Sequence, residues 1–202
     1  MTRTMMSPGA VRGPGATGRY RRGMLLSVIA VVVGLVAGTL AGGSWRNAAQ
    51  APVRRIGLLL AGVVCESVAG RWGSGWTGLA FVIAGYVLLL AFAASNLTLT
   101  GMVLVAVGLL ANLTVIAVNG GMPVRGVPPG ATYGPRHHGL RPGNHLIGMA
   151  DVLHVSFLGE TLAAGDIVLA VGVATVIAAL LRPCRRAPSG SSVEARSWPN
   201  WP

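Results

Sequence analysis

Five long apolar runs, divided by short polar breaks and one long polar stretch, set the pattern of the chain: Met24 to Ala41, Ile56 to Ala69, Trp76 to Ala94, Leu97 to Val118 and Ala163 to Leu181. About 20 helical residues, rising 1.5 Å each, cross a hydrocarbon core of about 30 Å. Three runs reach that range and the first nearly does. The second is short and spans only by recruiting Val53 to Arg55, or Arg71 and Trp72, whose apolar stems can snorkel. The pattern therefore predicts an all-α fold, a polytopic membrane helix bundle of about five transmembrane helices with one long polar loop before the last.

The breaks refine this. Trp45, Trp72 and Trp76 stand at run ends, where an indole buries its body and keeps its N–H wet. Only Ser95 and Asn96 separate the third and fourth runs, which predicts a tight antiparallel hairpin. Within the long polar stretch, Leu146 to Leu158 reads as an amphipathic segment lying on the membrane, with Leu146, Ile147, Met149, Ala150, Leu153 and Phe157 on one broad face. Three regions follow: a basic tail over 1–23, too rich in Gly, Pro and Arg to fold alone, a helical membrane domain over 24–181, and a second tail over 182–202. Met24 is an alternative start. The first run also has the layout of a signal peptide, and its cleavage would leave four spans.

Composition agrees: 52% hydrophobic residues, 10% charged ones and a mean hydropathy of +0.64. A soluble domain carries roughly a quarter charged residues, so a water-exposed surface cannot be built from this chain. The net charge of +11 comes from 16 basic residues, all Arg, against 5 acids. The arginines flank apolar runs rather than clustering with aromatics on one face, which excludes nucleic acid as a partner and leaves the lipid bilayer, with a membrane-protein partner or a second copy of the chain as further candidates. Arg for Lys, with abundant Ala, Gly and Val, fits a high-GC bacterial genome. Cys65 and Cys184 form neither a disulfide framework nor a metal pair.

Orientation follows from the same arginines. With Arg46, Arg54 and Arg55 cytoplasmic, the C-terminus is cytoplasmic and the loop over 119–162 is extracytoplasmic in a multi-pass protein of the cell membrane. This exports the basic N-terminal segment, a conflict that starting at Met24 removes.

Candidate chemistry gathers late in the chain. Asn112 and Asn119 lie seven residues apart, on one helical face, and an amide in hydrocarbon needs a partner. Asn119 opens Asn119-Gly120-Gly121-Met122-Pro123-Val124, where glycine and proline end a helix abruptly. This is either a cap or a binding loop at the membrane edge. All four histidines and Asp151, Glu160 and Asp166 follow. Asp166 also suits the first turn of the last helix. His145, Asp151 and His154 could hold zinc with an open position for water, but their spacing is not the His-Glu-x-x-His pattern that makes a zinc assignment strong. No cofactor is expected outside that reading. Glu66, inside the second run, is a charge at membrane depth, with Arg71 as its nearest partner in sequence.

Asn112 with Asn119, the Asn-Gly-Gly-Met-Pro-Val loop, Asp151 after a His-bearing linker, and Gly165-Asp166 opening the last span together resemble an uncharacterised family of small actinobacterial polytopic membrane proteins. The resemblance runs from about Met24 to Leu181 and implies a fold and a membrane location without an activity. The preferred expectation is a protein for binding, assembly or transport of an envelope or lipid-linked component, through a polar site at Asn112, Asn119, Gly120, Gly121, Asp151 and Asp166. The alternative is a membrane-embedded metal-dependent hydrolase or transferase acting on a lipid head group through His145, Asp151 and His154.

Overall fold

The computed structural model describes residues 23–72, 75–125, 132–133, 136–151, 153–155 and 160–182. Its helices are α1 (Gly23–Leu40), the short α2 (Trp45–Ala49), α3 (Ile56–Trp72), α4 (Gly75–Ser95), α5 (Met102–Asn119) and α6 (Ala164–Leu181). Of these, α4, α5 and α6 are long and apolar enough to cross a membrane, and α1 and α3 lie in the same bundle. Side chains such as Val32, Leu60, Val64, Val103, Val107 and Val171 point outward. So much exposed apolar surface is stable against hydrocarbon and not against water.

The long helices pack in the order α3, α4, α5, α6, α1. Lipid tails are as apolar as Leu, so helices associate by close packing, and small residues supply it. Glycines spaced seven apart line the α5–α6 seam: Gly108 lies against Gly165 and Leu169, and Gly101 against Gly172 and Thr175. On the other side of α6, Gly34 and Gly38 of α1 meet Ala174 and Ala178. Beyond α1, the end of α6 is held by Ser44 and Asn47, whose backbone N–H and side-chain Nδ2 both donate to Leu181 C=O, at 2.8 and 2.9 Å.

The α4–α5 connection is longer than the sequence pattern predicts. Although Leu97 and Leu99 look like helix, residues 96–101 form turns and α5 begins only at Met102. Asn96 is the cause. Its buried side chain accepts from Arg54 N–H at 2.7 Å and donates to the carbonyls of Arg54 and Phe92, both at 2.8 Å. An amide so engaged ties the chain before α3 to the end of α4, and Gly101, at φ +92, turns the backbone into α5.

The stretch between α5 and α6 is not a helix lying on the membrane. It contains short strands, β1 (Met122–Val124), β2 (Thr132–Tyr133), β3 (His137–Gly139), β4 (Leu153–Val155) and β5 (Glu160–Leu162), with one 3₁₀ turn at Ile147–Met149. β3 pairs in parallel with β1 and antiparallel with β2, and β4 pairs antiparallel with β5. The expected amphipathic helix over Leu146–Leu158 is replaced because Leu146 adopts φ +55, which no α-helix accommodates, and Val124 bridges to Asp151. Residues 152 and 156–158 of that segment, and the tails over 1–22 and 183–202, lie outside the described residues.

A step in helix heights positions this loop. The start of α6 lies beside Gly108 and Asn112 rather than beside Asn119, so α5 rises about 10 Å above it. The 3₁₀ turn packs on both helices and fills the step. Loop backbone thereby reaches the level of the helices, and described backbone groups such as the N–H of Arg125, Leu140, Ala150 and Asp151 are bonded inside protein, as a membrane requires.

Candidate functional site

Beneath the loop, polar side chains from α3, α4, α5, α6 and the loop meet. Glu66, the acid in the middle of an apolar helix, has an ion-pair partner, but it is Arg136 rather than Arg71: Arg136 Nη1 lies 3.0 Å from Glu66 Oε2. The same guanidinium donates through Nη2 to the Tyr86 hydroxyl, and its Cζ sits 5.2 Å from the centroid of the Tyr86 ring. Tyr86 is buried, and Gly85 beside it leaves the room that Glu66 occupies, since a Cβ there would lie 2.9 Å from Glu66 Oε1. Arg136 is aimed inward by the strand that follows it. Its carbonyl accepts from Met122 N–H, the first rung joining β1 and β3, so the pairing that makes the sheet also fixes the arginine.

Next to this triad, Asn112 Nδ2 donates to Asp166 Oδ1 at 2.7 Å, joining α5 to α6. Asp166 Oδ2 accepts from Ala163 N–H at 3.4 Å, the first-turn capping expected of an acid at a helix N-terminus. Gly165 is obligatory for this contact, because a Cβ there would collide with Asn112 Oδ1. Asp166 is close enough to act on Arg136. Burial works against the Arg136 charge, but Tyr86, Glu66 and Asp166 outweigh it and hold the guanidinium above its ordinary range. One cation therefore faces two carboxylates, Glu66 and Asp166, and the layer is electron-rich. Among the described residues, Glu66 Oε1, Asn112 Oδ1 and His138 Nε2 are buried without a hydrogen-bond partner. Buried acceptors left so cost about 1–3 kcal/mol each, and a donor-bearing ligand removes that cost.

The other sequence candidates hold the loop over this layer. Asn119 uses its whole amide: Nδ2 donates to the carbonyls of Val115 and His145, both at 2.9 Å, and Oδ1 accepts from His145 N–H at 2.8 Å and Asn144 Nδ2 at 3.1 Å. Gly120, at φ +65, caps α5, and buried Gly121, at φ +143, packs against His138. Asp151 is buried, with Oδ2 3.4 Å from His137 Nε2. Burial, Arg136 and His138 push the His137 ring below its ordinary value, against the pull of Asp151. Of the zinc candidates, His145 is exposed and bound through its backbone, Asp151 faces His137, and the His154 side chain lies outside the described residues. Among the described residues no three His, Cys, Asp or Glu side chains are placed to share a metal ion.

Sequence reasoning found Glu66, Asn112 and Asp166 separately and missed Arg136 and Tyr86. Tyr86 carried a signal, since it is the one tyrosine inside an apolar run. Arg136 carried none, being one arginine in a Gly- and Pro-rich stretch whose inward turn depends on strand pairing. Comparison with known proteins adds family membership. None of the curated proteins and none of the solved structures matches the chain. A family model matches residues 50–178, which include every member of the polar layer, and on that match the chain belongs to a family of unknown function, DUF5317.

Proposed function

We propose that this chain is a five-span membrane protein that binds an envelope or lipid-linked component in the layer formed by Glu66, Tyr86, Asn112, Arg136 and Asp166. The observation that carries the reading is the ionic layer itself, charges drawn from separate helices and a loop to one level of an otherwise apolar bundle. Such groups are expensive in a membrane and are kept where they act on a ligand. The excess of carboxylate over cation, with Glu66 Oε1 and Asn112 Oδ1 unpartnered, favours a head group rich in O–H or N–H donors. The arginines support the orientation of this reading: Arg46, Arg54, Arg55 and Arg182 lie at the end remote from the loop, which favours a cytoplasmic side there and an extracytoplasmic loop.

The test is the lipid and glycolipid content of the protein purified from its own membranes, measured by mass spectrometry for wild type, Glu66→Gln and Asp166→Asn. A component enriched in wild type and depleted in both variants, each of which still unfolds cooperatively, is the expected result. Identical content in all three would refute the proposal and leave the layer a packing device.

A further inference from the structure

The opposite end of the bundle holds a second charged feature, independent of the polar layer. A cleft of about 440 Å³ opens there, lined by Arg54, Arg55, Ala91, Ala94 and Ser95. We propose that it is a head-group site in which Arg54 and Arg55 hold the phosphate of an anionic phospholipid.

The arginines are presented by a built segment. Both the N–H and the C=O of Arg54 are bonded to the buried Asn96 side chain, and Arg55 is held at φ +53, a conformation that non-glycine residues rarely adopt. Fixing the backbone at successive residues points two guanidinium groups over one cleft. Among the described residues neither side chain has a hydrogen-bond or ion-pair partner, and the acids Glu66, Asp151, Glu160 and Asp166 all lie toward the other end of the bundle.

Among the described residues neither arginine side chain is bonded to the end of α4. Three of the carbonyls near that end have other donors: Ser95 Oγ to Ala91 at 2.7 Å, Asn96 Nδ2 to Phe92 at 2.8 Å and Asn96 N–H to Ala93 at 3.0 Å. The floor of small side chains leaves space for a bulky group, and guanidinium forks match phosphate oxygens. The cleft lies where apolar helices end, which is the depth of lipid phosphates. That depth favours a phospholipid over a soluble phosphate compound.

The full chain, reconstituted in phosphatidylcholine nanodiscs with a minority of phosphatidylglycerol, is extracted gently and its retained lipids are counted by native mass spectrometry. Wild type retains phosphatidylglycerol preferentially. The Arg54→Gln/Arg55→Gln variant loses about thirtyfold of that preference, about 2 kcal/mol for two arginines at 1.4 kcal/mol per tenfold. Arg46→Gln/Arg182→Gln, which removes the same charge from the same end outside the cleft, keeps it. Should the double variant at the cleft unfold on purification, Arg55→Gln alone is read, with about a fivefold loss expected. Equal retention by wild type and the cleft variant, or equal loss in both double variants, overturns the site. Displacement of phosphatidylglycerol by inorganic phosphate alone overturns the lipid as its occupant.

Discussion

Removing Arg136 tests whether the layer is coupled. In Arg136→Met the Glu66 carboxylate, whose side chain is 18% exposed, loses its only described cation. Breaking a fully buried pair costs about 3–5 kcal/mol. The Arg136 side chain is 38% exposed, so solvent screens part of the interaction and the expectation falls to about 2 kcal/mol. A ceiling of about 4 kcal/mol exists in any case, since at neutral pH an ordinary Glu can take up a proton for that much. Glu66→Gln leaves Arg136 bonded to Tyr86 and partly wet, and costs about 1 kcal/mol. The double variant no longer buries an unpaired charge, so its loss is smaller than the sum by about 1 kcal/mol or more. Unfolding in mixed micelles by titrated SDS, followed by helical circular dichroism, gives the four free energies. Additivity within about 0.3 kcal/mol would show that Glu66 and Arg136 do not interact, and the layer as described would be wrong.

Further outcomes follow from other contacts. Gly108→Ala places a Cβ 2.6 Å from Leu169 N and 2.7 Å from Gly165 O, backbone atoms that cannot yield, and lowers stability by about 1–3 kcal/mol, whereas Gly57→Ala, with open space around it, is neutral or slightly stabilising in the same assay. Asn96→Ala strands both backbone groups of Arg54 and costs about 1–3 kcal/mol, seen as faster hydrogen exchange at the Arg54 amide. His137 is held below its ordinary value, so the unfolded loop binds the extra proton first. Loop stability is then complete above about pH 6.5 and falls as pH drops below it. Hydrogen exchange at Met122–Val124 follows that fall in wild type, and His137→Gln flattens it.

The helices were legible because a bilayer imposes a length and an apolarity that sequence displays directly, and Trp45, Trp72 and Trp76 mark their ends, all strongly exposed in the structure. The hidden turn at 96–101 was misread because Leu97 and Leu99 continue the apolar pattern while the determinant, Asn96, acts through a bond to Arg54, 42 residues away. The loop strands were beyond reading. Two or three residues give no periodicity, and β1 exists only because β3 returns to it. The polar layer was legible in pieces, since Glu66, Asn112 and Asp166 each break an apolar context. Arg136 joins them, and its position is a product of that same non-local pairing.

The reach of Arg136 also orders the assembly of the protein. Tyr86 is synthesised fifty residues before the arginine that binds it, and Glu66 earlier still. Until the loop is complete and β3 has closed on β1, the α3–α4 pair holds the Glu66 carboxyl without the cation that matches it in the finished fold. The arginine thus works as a latch that closes late, and a chain that ends before it lacks the partner of both Glu66 and Tyr86.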